Sequence, residues 1–286
     1  MTSNIPIAFV TGASRGIGRC AALALAEAGY DVALSARTVR EGEGRSEASS
    51  VRDKEPIVVL PGSLESTAAD IEARGRRALI VPMDVLDQEA LLAAPRTVLD
   101  EWGRIDVLVN NAIYQAGGTL DRFLDLTREG MINLVAGNYV HQVLLTQAVL
   151  PAMLDAGSGR VINMVSASAR IDPPAPAGEG GWGIAYSASK AAFGRVAGGI
   201  NAEFSGRGVV AFNVDPGNVI TEKRRALRPD DPYEDTFGAA PAEATGQVIA
   251  WLASSPDAQR FLGKWVYAPK LCADLGLLPG WAGEST

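Results

Sequence analysis

Short runs of β-branched and aliphatic residues alternate along this chain with longer stretches whose apolar positions recur every three or four residues. The short runs predict strands at 5–10, 31–36, 78–82, 105–110, 160–165 and 209–214, and more weakly at 264–268. The longer ones predict helices at 16–28, 64–74, 87–102, 121–154 (more than one helix), 184–205 and 241–254. Regular strand–helix alternation predicts an α/β fold, a parallel sheet with helices on both faces. No internal repeat and no linker divides the chain, so residues 1–286 are expected to form a single domain. Pro95 lies inside one helical pattern and should kink or interrupt it.

Three stretches break the rhythm. Residues 40–56, crowded with Glu, Arg, Ser and Gly, read as a solvated loop. Residues 170–183 carry three prolines and four glycines, and 218–240 form a long, charged, lid-like connection. Loops this long in a compact domain tend to be functional or disordered.

The first strand runs directly into Thr11-Gly12-Ala13-Ser14-Arg15-Gly16-Ile17-Gly18 and then an Ala/Leu-rich helix. Glycines at such a junction let the backbone turn tightly against a pyrophosphate, which the helix N-terminal amides bind. Farther on, Tyr186 and Lys190 share one helix face, about 6 Å apart along the axis. A free phenol titrates near pH ~10, too high for efficient acid–base work at neutral pH, and a nearby ammonium is expected to lower it.

Composition narrows the chemistry further. The 286 residues are 47% hydrophobic and 21% charged, an ordinary globular balance. A net charge of −7 leaves no footprint for nucleic acid or an anionic membrane. Cys20 and Cys272 are expected to be buried free thiols in a reducing compartment. His141, the single histidine, is expected to pack rather than catalyse, and its isolation argues against any metal site. With only Met1 to Asn4 before the first strand and no long apolar run, neither a signal peptide nor a membrane helix is expected, and a cytoplasmic location is.

Thr-Gly-x3-Gly-x-Gly, Asn110-Asn111-Ala112 after the fourth strand and Tyr186-x3-Lys190 together resemble the short-chain dehydrogenase/reductase family, from about residue 5 to about 255. The resemblance implies one doubly wound Rossmann-type domain with a seven-stranded parallel sheet. It also implies a bound nicotinamide dinucleotide, hydride transfer between it and a carbonyl or alcohol carbon, and a homodimer or homotetramer. Gly12, Ser14, Arg15, Gly16, Ile17 and Gly18 match the pyrophosphate turn, Asp84 and Val85 the adenine contact, and Asn111 and Ala112 the loop beneath the cofactor. Asp215-Pro216-Gly217-Asn218-Val219-Ile220-Thr221 resembles the family's turn on the nicotinamide side, where Pro216, Gly217, Val219 and Thr221 contact the cofactor. Where NAD-users of the family place Asp, this chain has Ala36 followed by Arg37, which with Arg15 suits a 2′-phosphate; NADP(H) is therefore expected over NAD(H).

The same resemblance assigns the catalytic group to Tyr186 as proton donor, Lys190 beside it, and Ser166 as the substrate-orienting hydroxyl, with Ser168 the alternative. An asparagine supporting the lysine falls on Asn138, with Asn133 the competitor. Two departures stand out: Ile113 replaces the usual glycine, and 20 residues separate Ser166 from Tyr186 where about a dozen is common. The excess is the 170–183 insert, whose Trp182 is expected to line the substrate pocket. The function implied is a carbonyl reductase or alcohol dehydrogenase acting on a small molecule. A non-catalytic NADP(H)-binding sensor or scaffold is the main alternative.

Overall fold

The computed structural model describes residues 5–52, 57–227 and 239–283. Seven strands form one parallel sheet: β1 (Ile7–Thr11), β2 (Asp31–Ser35), β3 (Ala78–Ile80), β4 (Val107–Asn110), β5 (Gly159–Met164), β6 (Val209–Asp215) and β7 (Trp265–Tyr267). Their order is β3-β2-β1-β4-β5-β6-β7. The chain starts at the centre, winds outward to β3, then returns to place β4 beside β1 before winding the other way. That reversal opens a crevice at the C-terminal ends of β1 and β4, the place where doubly wound sheets bind ligands.

Burial on both sheet faces explains the continuous apolar runs of the strands. Ala8 and Val10 of β1 face one core while Ile7 and Phe9 face the other. The first core lies under α1 (Gly16–Glu27), α2 (Leu64–Glu72), α9 (Ala242–Ser254) and α10 (Ala268–Leu275). The second lies under α3 (Gln88–Trp102), α5 (His141–Asp155) and α7 (Val196–Phe204). Gly246 of α9 lets that helix sit against α1, since a Cβ there would lie 2.7 Å from the Cys20 carbonyl.

Several expectations need correction. α3 runs through Pro95 without a break: at the eighth position of that helix, with Val98 and Leu91 buried around it, packing outweighs the missing hydrogen bond. The 184–205 pattern divides at Arg195 into α6 (Ile184–Gly194) and α7, and α10, opening with Pro269 in its first turn, follows the last strand unannounced. The 121–154 region is α4 (Arg128–Val135), a π-helical segment Ala136–Val140, and α5, continuous in the chain. The 40–56 region is not simply solvated, because Gly44, Ser46, Ser49 and Ser50 are all buried. Cys20 and Cys272 are both free, the former half-buried. No helix among the described residues is long and apolar enough to cross a membrane.

Candidate active site

Along the C-terminal edge of the sheet lies a cleft in two parts that meet at Ile113. The first, of ≈ 410 Å³, has Tyr186, Lys190 and Asn111 in its walls. The second, of ≈ 390 Å³, runs between the glycine turn and the end of β2 and is lined by Gly12, Ser14, Ala36 and Arg37.

The glycine turn has the shape its sequence requires. Gly12 and Gly16 have φ of 69° and 55°, a region that side-chain-bearing residues avoid. A Cβ on Gly18 would lie 2.0 Å from the Gly12 carbonyl oxygen, so helix and turn touch only because that position is glycine. Asn111 fastens the turn to β4: its Nδ2 donates to the Thr11 carbonyl at 2.9 Å, and its own N–H donates to Thr11 Oγ1 at 3.0 Å, as does Ala112 N–H at 3.0 Å. Arg15, at the N-cap of α1, supplies no side-chain cap, and no acid lies in the first turn. The first-turn amides thus face an open crevice, which fits a dinucleotide pyrophosphate.

At the catalytic end, α6 carries Tyr186 and Lys190 toward the ends of β5 and β6. Lys190, 2% exposed, donates from Nζ to the Met164 carbonyl at 2.7 Å. Burial pulls the ammonium down to about 8, and the Asp215 carboxylate opposes that. The Tyr186 phenol is displaced the other way from the expectation: burial raises it, a hydrogen bond with the Ser166 hydroxyl works against this, and Asp215 raises it further. Ser166 Oγ accepts from Ser168 N–H at 3.3 Å and from Ser168 Oγ at 2.9 Å, so Ser168 holds Ser166 and leaves the Ser166 proton free to donate.

Asn138 occupies the π-helical segment and is fully buried. Its Oδ1 accepts from Tyr114 N–H at 2.8 Å, while Nδ2 donates to the Tyr114 carbonyl at 3.2 Å and to Ser189 Oγ at 3.4 Å. It therefore ties the loop after β4 to the residue preceding Lys190, whereas Asn133 lies on α4 itself. A π-bulge at such a point re-aims one side chain within an otherwise continuous helix. His141 is a packing residue whose Nδ1 meets the Val85 carbonyl at 2.5 Å.

Of the other expected residues, Ile17, Pro216, Gly217, Val219 and Thr221 line the catalytic end, and Val85 lines the ribose end. Asp84 Oδ1 caps the next turn through Leu86 N–H at 2.9 Å, and Asp84 Oδ2 lies 3.8 Å from Arg37. Two placements depart from expectation. Arg15 is committed to the protein: its guanidinium donates to the carbonyls of Pro61 and Gly62, both at 2.9 Å, and to Thr38 Oγ1 at 3.1 Å. Trp182 is not among the residues that line the cleft with Tyr186; it lines a separate groove with Phe123 and Ile184. The loop faces the cleft instead through Gly178 and Gly181. Of the 218–240 connection, residues 228–238 lie outside the described residues.

Among the residues at the site to which the sequence assigned no role of their own are Asp215, Glu47 and Ser49. Asp215, 9% exposed, ends β6 and has its carboxyl pushed up by burial, against the pull of the Gly217 N–H, Arg170 and Lys190. An acid closing a buried strand was the available signal. Glu47 and Ser49, in the 40–56 stretch, carried none.

Fold, glycine turn and the Tyr–Lys helix define a dinucleotide-dependent oxidoreductase of the α/β class. The chain matches the short chain dehydrogenase family model over residues 6–60 and 52–232 and belongs to that family, whose members act on alcohol and carbonyl groups with a nicotinamide cofactor. It is 30% identical over 243 residues to gluconate 5-dehydrogenase of Gluconobacter oxydans, covering 84% of this chain and 82% of that one. Among solved structures it is similar to 3-oxoacyl-[acyl-carrier protein] reductase of Brucella melitensis in complex with NAD, at 26% identity and TM-score 0.73, covering 93% and 96% of the two chains. It is also similar to a metagenomic short-chain oxidoreductase in complex with NADP, at 28% identity and TM-score 0.69, covering 92% and 95%.

Proposed function

We propose that this chain interconverts a ketone and a secondary alcohol, with NADP(H) preferred, and that Tyr186 transfers the proton. The observation that carries the reading is the meeting of Ser166, Tyr186 and Lys190 at one end of a cleft whose other end is the glycine turn. When bound, the nicotinamide supplies or accepts the hydride. In reduction, Tyr186 gives its phenolic proton to the substrate oxygen, and the high pKa of the phenol keeps that proton in place beforehand. Ser166 orients the same oxygen and stabilises the negative charge that develops on it. Lys190 holds the ribose hydroxyls of the cofactor, and Asn138 fixes the backbone on which that geometry rests. Gly12, Ser14, Gly16, Ile17 and Gly18 cradle the pyrophosphate, with Asn111 and Ala112 beneath.

The NADP(H) preference rests on Arg37 after β2, with Ala36 in place of an acid. A homodimer or homotetramer is supported by the exposed apolar residues Met131, Ile132, Val135 and Val140 along one helical run. The substrate class is tested with a panel of ketones, sugar acids and acyl thioesters, following nicotinamide absorbance with each cofactor. Turnover of at least one carbonyl compound, lowered about a hundredfold in Ser166→Ala, supports the reading. Tight cofactor binding with no turnover across the panel would favour a sensor.

A further inference from the structure

Residues 40–52, with 57–60 paired beside their start, form a strap along the cleft from one part to the other. Its base is a short antiparallel pairing, in which Leu60 N–H donates to the Gly44 carbonyl at 3.0 Å and Ser46 N–H to the Val58 carbonyl at 2.9 Å. Arg15 fastens this base to the glycine turn, close enough that a Cβ on Gly44 would lie 2.2 Å from the guanidinium. Its far end is anchored to Asp121, which is buried and accepts from Ser50 Oγ at 2.5 Å and Val51 N–H at 2.9 Å, while Leu120 N–H donates to the Ser49 carbonyl at 2.9 Å. Between these anchors, Glu47 lines the ribose end of the cleft and Ser49 the catalytic end.

Glu47 and Arg37 make a two-pronged pair: Nη1 to Oε1 at 2.9 Å and Nη2 to Oε2 at 3.1 Å. The end-on edge of the guanidinium, Nη1 and Nη2, which would meet a phosphate with two parallel bonds, is thus taken by a carboxylate of the protein. We propose that Glu47 sets the cofactor preference of this chain by competing with the 2′-phosphate of NADP(H) for Arg37. This rests on the reading of Arg37 as the cation at the cofactor's ribose end. A dianionic phosphate that takes this edge displaces Glu47, and one that approaches beside it bears the repulsion of Glu47 and of Asp84, 3.8 Å from the same guanidinium. A ribose 2′-hydroxyl instead donates to the Glu47 carboxylate and leaves the pair intact. The strap therefore narrows a preference that Arg37 alone would make wide.

The test is calorimetric titration of the full-length protein with NADPH and with NADH, in wild type, Glu47→Gln, Glu47→Ala, Arg37→Ala and the Arg37→Ala/Glu47→Gln double variant. In Glu47→Gln and Glu47→Ala the Kd for NADPH should fall about tenfold, while that for NADH stays level or rises up to about threefold. The NADPH gain should shrink as salt is raised, and vanish in the Arg37→Ala background. No gain for NADPH, or equal changes for both cofactors, overturns the role of Glu47. A fall in Tm with both affinities weakened shows Glu47 to be a strap-holding residue only, and also overturns it. If Arg37→Ala alone leaves the NADPH-to-NADH ratio unchanged, the Arg37 reading has failed, whatever Glu47→Gln shows.

Discussion

At the catalytic end of the cleft, Lys190 is 2% exposed and held by a main-chain carbonyl, and Asn138 is wholly buried with main-chain partners on both amide atoms. At the ribose end, the side chains of Arg37 and Glu47 are 52% and 41% exposed and hold each other. Strand ends and a buried helix build the first end, so its geometry exists before any ligand arrives. Charged side chains on a strap and a turn build the second, and a ligand of different charge can rearrange them at small cost. The proposed function thus places chemistry on the rigid scaffold and discrimination on the adjustable one.

Substitutions at the rigid end should therefore have the larger effects. Lys190→Ala should lower kcat/KM by about a thousandfold and weaken binding of both cofactors, as measured by turnover and calorimetry. A loss confined to one cofactor would place Lys190 at the discriminating end instead. The lowered pKa of Lys190 gives a pH dependence with a definite sign. Its charge is present below about 8 and lost above, so kcat/KM should be level at neutral pH and fall up to tenfold per pH unit beyond about 8. A profile level to pH ~10 would show that the lysine keeps its ordinary value.

Asn138→Ala leaves the Tyr114 N–H and carbonyl without their partner inside the protein. It should destabilise the fold by about 1–3 kcal/mol and slow turnover about tenfold, seen as a lower Tm and kcat. Asn133→Ala should do neither, and the reverse pattern would transfer the role to Asn133. The smallest effect is expected at the strap. Arg15→Ala removes three hydrogen bonds to the residues that flank the strap, Thr38, Pro61 and Gly62. It should raise the KM for cofactor about threefold and speed proteolytic cleavage within 40–60, with kcat nearly unchanged.

The same division decides what was legible in the chain. All seven strands could be read, even the short Trp265–Tyr267, because a parallel sheet covered on both faces demands unbroken apolar runs. The glycine turn and Tyr186-x3-Lys190 were legible because local geometry dictates their spacing. The choice of Asn138 over Asn133 had little support in the sequence, since a π-helical segment shifts the helical period and leaves little trace in composition. The strap was opaque. Apart from Leu60 its buried residues are Gly and Ser, polar or small, and the burial of Ser50 comes from Asp121, some 70 residues away in the chain. Trp182 shows the opposite departure, a large apolar side chain near the site in sequence that lines a separate groove with Phe123 and Ile184.

The central claim is that Tyr186 moves the proton in a cleft otherwise complete for cofactor binding. The most direct measurement takes one preparation of Tyr186→Phe and determines both cofactor affinity by calorimetry and turnover of a carbonyl compound that the wild type reduces. The removed hydroxyl makes no contact on which the glycine turn or Lys190 depends. NADPH affinity should therefore stay within about twofold while kcat falls by about 10²–10⁴. Turnover retained at more than about a tenth of the wild-type rate, at saturating substrate, would contradict the account and move the proton donor elsewhere in the cleft.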